Sequence, residues 1–220
     1  MDKIDSLILQ IQRGHGDGET ANLLLNEFYH EPDLRRLFPL LNSPNEKIAE
    51  VGIWIASELG NRCAPIEKDI QFFLGHPSKR VRFFAIDSLL TSSIDPKATA
   101  KVLDLFHDPE EAVRWKAMDY AVRVKDELLA SAIAFWNENE RNKNILLKIC
   151  RKELDLPAAK MLLVGDSSLE RKLGIIAAVR LDYLELLKEA VRNNDSDVTS
   201  FAKSVDRENH RSKVNSTGQP

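Results

Sequence analysis

The residues best placed to do chemistry are Phe83 and Trp115, each followed one helical turn later by an acid, Asp87 or Asp119, and each preceded by an arginine, Arg82 or Arg114. An aromatic ring beside a carboxylate can lie against an apolar or flat group and hold its polar edge, and Trp, Tyr and Arg dominate binding hot spots. Trp54 holds the place of the two acids in an earlier copy of the same pattern. The arginines admit two readings: contact with phosphate, or pairing with an acid of a neighbouring unit such as Asp87 or Asp108, which the guanidinium fork suits. Other chemistry finds no pattern. The histidines His15, His30, His76, His107 and His210 are scattered. Gly14-x-Gly16-x-Gly18 follows a helix and lacks the Lys-Ser/Thr of a phosphate loop. No nucleophile elbow or metal-ligand spacing is present, and Glu110-Glu111 read as acids favoured at a helix start. Neither a catalytic residue nor a cofactor or metal is expected.

These residues sit on a pattern that recurs about every 32 residues: Ser43-Pro44-x3-Ile48-Ala49, His76-Pro77-x3-Val81-Arg82 and Asp108-Pro109-x3-Val113-Arg114. With each proline as zero, offset four gives Ile48, Val81 and Val113, offset eight gives Gly52, Ala85 and Ala117, and offset twelve gives Ala56, Leu89 and Ala121. At ~100° per residue these offsets form one buried stripe. Offset six, with Phe83 and Trp115, then lies on the opposite side and should face outward. The small residues at offset eight suit close helix contact, which a leucine there would overpack. Proline is expected at the first helical position, with Ser43 and Asp108 as caps. Upstream runs ending in Leu40-Leu41, Phe73-Leu74 and Leu105-Phe106 make a first helix for each unit, starting at Ala64-Pro65 and Asp95-Pro96 in two of them. Residues 125–136 with 141–154, 157–164 with 168–181, and 183–191 with 198–205 read as further pairs, in which Gly165-Asp166 and Asn194-Asp195 replace the proline junctions. Residues 4–12 and 19–30 are helical around a flexible glycine-rich link.

Composition permits this reading without directing it. The chain has 220 residues, 43% of them hydrophobic, and a formal charge of −3, which gives no global pull toward nucleic acid or membrane. Residues 1–60 alone are acidic, with ten acids against five bases. Cys63 and Cys150 stand far apart with no ligand partners, which excludes the usual zinc module and a disulfide framework. The start Met1-Asp2-Lys3-Ile4-Asp5 lacks the form of a signal peptide, and no run approaches a membrane span. A cytoplasmic protein with no membrane partner is expected.

The spacing Asp/His-Pro-x3-Val-Arg-x2-Ala-x3-Leu resembles HEAT and HEAT-like repeats, the armadillo-type α-solenoids, over roughly residues 32–205. That resemblance implies an all-α, right-handed curved α-solenoid of about five to six antiparallel helix pairs whose second helices line a concave surface. Residues 1–31 would be an amino-terminal helical cap, 32–205 the HEAT-like array and 206–220 a disordered tail. Trp115-x3-Asp119 is also similar to a fragment of the HEAT-like alkylpurine DNA glycosylases, which use a Trp and an Asp on the concave surface. Lys79, Arg80, Arg82, Arg114, Lys116, Arg141, Lys143, Arg171 and Lys172 would be its phosphate-binding bases. The Gly-Trp of that family appears here as Gly174-Ile175. The expectation is a non-enzymatic, bacterial protein-binding module, an adaptor or an antagonist such as an immunity protein that neutralises a toxin. Its concave surface would use Trp54, Phe83 and Trp115 as anchors and Arg82, Asp87, Arg114 and Asp119 as polar contacts. The alternative partner is nucleic acid.

Overall fold

A computed structural model describes residues 2–15 and 18–216, with side-chain environments to residue 207. Among the described residues every regular element is helical. The expected link of residues 14–18 is therefore described only in part, and residues 217–220 of the tail lie outside. The chain divides into two compact units, Met1–Val102 and Leu103–Pro220. The first contains α1 (Lys3–Gln12), α2 (Gly18–Phe28), α3 (Phe38–Leu41), α4 (Glu46–Leu59), α5 (Glu67–Ile70) and α6 (Lys79–Ser92). The division falls within α7 (Pro96–Asp104). The second contains α8 (Glu111–Arg123), α9 (Asp126–Ala132), α10 (Glu140–Cys150), α11 (Leu156–Leu163), α12 (Ser168–Arg180), α13 (Leu184–Ala190) and α14 (Ser196–Ser216). No described helix is long and apolar enough to cross a membrane.

The recurring motif works as a clamp on the turn before each second helix. The prolines stand one residue before the cap rather than inside the helix, because Asn45, Ser78 and Glu110 are the cap residues. The side chain before each proline closes the turn: Ser43 Oγ accepts from Asn45 N–H at 3.2 Å, His76 Nδ1 from Ser78 N–H at 3.0 Å and Asp108 Oδ1 from Glu110 N–H at 2.9 Å. Such side-chain turns replace a backbone bond that the proline cannot make. Offset five then reaches back. Arg82 Nη1 donates to the carbonyls of His76 and Pro77 at 2.7 and 2.8 Å, and Arg114 Nη1 to those of Asp108 and Pro109 at 2.7 and 2.9 Å.

The same device continues where proline is lost. Arg171 Nη1 donates to the carbonyls of Gly165 and Asp166 at 2.7 and 3.0 Å, so Asp166 takes the proline's place. At the last junction Asn193 closes the turn onto Asp195 N–H, and the Thr199 hydroxyl donates to the Asn193 carbonyl at 2.9 Å. Offset eight keeps its meaning too. A Cβ on Gly52 would stand 2.9 Å from the Leu41 nitrogen, and one on Gly174 2.8 Å from the Leu163 nitrogen. α4 and α12 thus press on the ends of α3 and α11 where no further atom fits. The first helices are less regular than expected: residues 60–75 are a 3-10 turn, the short α5 and another 3-10 turn, with Pro65 inside the first of these.

In the first unit α1 packs on α2, α3 on α4, and α4 on α6. Ser78 Oγ meets Glu50 near the start of both α4 and α6, and Ser88 Oγ meets the Ala56 carbonyl two turns on, so the two helices run parallel. In the second unit α12 is the centre. It contacts α8, α10, α11, α13 and α14, and α14 also returns to α8. Lys172 to Ala178 are all buried, two turns with no open side, the pattern of a helix enclosed on every face. In a simple open array α8 and α14 would be separated by the pairs between them; here they touch.

Candidate functional site

In the first unit α4 and α6 each bury one stripe and leave another partly open. On α4 the half-buried residues are Glu50, Val51, Trp54 and Ser57, and on α6 they are Phe83, Phe84, Asp87 and Leu90. Both sets recur at three- and four-residue spacing, which places them along single faces. Arg82 does not join them; it is buried, its guanidinium turned back on the junction carbonyls. Phe83 meets Phe84 edge to face with centroids 5.6 Å apart. Glu50 is bound by Ser78 at 2.9 Å and Arg80 at 3.4 Å. Trp54 has no ring contact among the described residues, and Glu58, one turn further along α4, is exposed.

The second unit places Arg114, Trp115 and Asp119 differently. Trp115 is half-buried with its ring 5.7 Å from that of Phe201 on α14. Asp119 is buried and held by Lys116 at 3.4 Å and Arg123 at 2.6 Å. Arg114 spends Nε and Nη2 on the Asp197 carboxylate at 2.6 and 2.9 Å. Asp197 also receives Lys172 at 3.0 Å. Burial pushes the Asp197 carboxyl up, but Arg114 and Lys172 outweigh it and leave it below the usual carboxylate range. Asp197 did not emerge from the sequence, and Lys172 emerged only as a phosphate-binding base rather than as a buried partner of an acid; the signal was an apolar run, Gly174 to Ala178, too long for a helix with an open face.

A polar cleft of ≈ 480 Å³ opens beside this cluster, lined by Asp108, Arg114, Arg171, Lys172, Asp195 and Asp197 among others. Its cations and anions are matched to each other: Arg171 to Asp195 at 3.3 Å, Arg114 and Lys172 to Asp197, and Lys172 also to the Phe106 carbonyl at 2.8 Å. Of the other bases of the expected phosphate ridge, Lys116 pairs with Asp119 and Lys143 with Glu140, while Arg80 and Arg141 meet Glu50 and Glu170 from largely exposed positions. Two further arginines end helices: Arg62 donates to the Phe28 and Glu31 carbonyls after α2, and Arg180 to those of Ala121, Val122 and Val124 after α8.

Cys63 and Cys150 are buried, and burial raises both thiols to about 11, which leaves them protonated and unreactive at neutral pH. No cluster of metal-binding side chains occurs among the described residues. His76 is spent on its turn, and His107 contacts Glu138 at 3.2 Å. Compared with known proteins, the chain matches no family model and no curated protein sequence.

Proposed function

We propose that the chain is a helical-repeat module that binds another protein without catalysing a reaction, as an adaptor or an antagonist. The half-open stripes of α4 and α6 are its contact surface. The observation that carries this reading is Trp54: a tryptophan without a ring partner among the described residues, on a helix whose parallel neighbour presents Phe83 and Asp87 in the same half-buried state. Large aromatics of this kind supply most of the binding energy at protein interfaces. The engagement of Arg82, Arg114, Arg171 and Lys172 with internal acids and carbonyls favours a protein over nucleic acid, because phosphate binding draws on bases that face solvent.

The test is purification of the tagged protein with its bound partner, followed by reconstitution of the complex from the two purified chains. Trp54→Ala should lose the complex, and Trp115→Ala, provided it stays folded, should keep it. Titration with labelled duplex DNA at low salt separates the other reading. Tight binding that falls steeply with salt would overturn the proposal.

A further inference from the structure

Glu58 stands in the last turn of α4, where the helix carries no basic residue and where the carbonyl end of the dipole favours cations over anions. The next cation along the chain, Arg62, is spent on the Phe28 and Glu31 carbonyls at 2.5 and 2.8 Å. Trp54 lies one turn before Glu58 on the same face. Tyr29, 46% exposed, donates its hydroxyl to the Glu58 carbonyl at 3.4 Å, so a second aromatic reaches the same helix end. Residues 1–60 carry ten acids against five bases; Asp2, Asp5, Glu27, Glu31, Asp33 and Glu50 are paired with Lys3, Arg35, Arg36 and Arg80, and Glu58 stands outside those pairs. An anion set against its own helix end, with a ring one turn away, is costly to the folded chain alone and is relieved by an incoming cation.

Resting on the protein-binding reading, we infer that Trp54 and Glu58 seat a lysine or arginine side chain of the partner, which therefore presents a basic segment to α4. The tryptophan face attracts the cation through its ring quadrupole, and the Glu58 carboxylate pairs with its charge. A guanidinium fits best, since it can lie flat on the ring while its edge meets the carboxylate.

The probe is a labelled oligo-arginine peptide, with a length-matched acidic peptide as control, followed by fluorescence anisotropy at low salt. Only the basic peptide should bind. Trp54→Phe and Glu58→Gln should each weaken it by roughly two- to five-fold, while Glu19→Gln, which removes the same charge from an exposed position on α2, should leave affinity unchanged. Circular dichroism checks that the variants stay folded, and Trp54→Phe keeps an aromatic ring in place should Trp54→Ala fail to fold. No binding of the basic peptide, or equal losses from Glu19→Gln and Glu58→Gln, would overturn the inference. The purified natural partner separates the two levels of the argument. A complex broken by Trp54→Ala but indifferent to Glu58→Gln ends the basic seat and leaves protein binding standing; a complex indifferent to both ends the binding surface itself.

Discussion

The α4–α6 face of the first unit and the α8–α12–α14 cluster of the second are built from the same motif and put it to different use. Offset six is Phe83 on α6, half-buried; it is Trp115 on α8, set against Phe201; and it is Lys172 on α12, buried in an ion network. The motif therefore dictates the turn and the contact with the preceding helix, and it leaves the far side of the second helix undetermined. That side stays half-buried on α4 and α6, which pack on each other. Where α14 returns onto α8 and α12, that side meets a further helix, and on α12 it is fully enclosed at Lys172.

Removing the ionic centre of the second unit should produce the largest effect. Asp197→Ala leaves Arg114 and buried Lys172 without their shared counter-ion, and breaking a buried pair from one side costs about 3–5 kcal/mol. Denaturant unfolding measures this; a loss under 1 kcal/mol, on the scale of an exposed pair, would show that the cluster is not the interior described. Acid should act on the same group. Because the Asp197 carboxyl lies below its ordinary value in the folded chain, its contribution is full above the unfolded pKa of ~3.9 and is lost as pH falls through the folded value. Asp197→Asn should remove that part of the acid sensitivity, and an unchanged stability profile between pH ~4 and ~2 would contradict it.

Substitutions in the shared part of the motif should act alike in both units. Gly52→Ala and Gly174→Ala each drive a methyl to within 2.9 or 2.8 Å of a backbone nitrogen, and overpacking of this kind costs about 1–3 kcal/mol. A neutral result at either glycine would separate the two units at the level of the motif itself. Arg82→Lys and Arg171→Lys should each cost on the order of 1 kcal/mol, since a lysine ammonium lacks the fork that serves two carbonyls at once. Thermal unfolding of the pair, compared under one condition, decides whether the clamp is equivalent.

The sequence made the shared part legible and hid the rest. Period, junctions and the small residues at offset eight follow from Pro44, Pro77 and Pro109, because they belong to one turn and its nearest neighbour. The later copies are legible through Gly165-Asp166 and Asn194-Asp195, which replace the proline junctions; with Asp166 and Asn194 in the proline's own place, Arg171, Gly174, Thr199 and Ala202 fall in register. Proline's place before the cap was missed because Ser43, His76 and Asp108 close the turn first. The return of α14 to α8 was not legible, since it depends on angles accumulated over several short helices rather than on any local pattern. Trp115 and Asp119 were accordingly read as outward, and the structure sets one against Phe201 and ties the other to Lys116 and Arg123.

The smallest expected effect has the opposite sign and separates the two regions most directly. In the second unit the buried acid Asp197 holds cations in place, so its removal weakens the fold. In the first, Glu58 opposes the end of its own helix and has no cation in that turn. Glu58→Gln should therefore raise stability, by about 0.3–1 kcal/mol at low ionic strength, with the gain shrinking as salt screens the helix end. Paired unfolding curves at low and high salt read this difference. A loss of stability would mean that Glu58 serves the folded chain as Asp197 does. A salt-sensitive gain would mark α4 as a helix end that carries an electrostatic cost in the isolated chain, which is what a surface awaiting a basic partner requires.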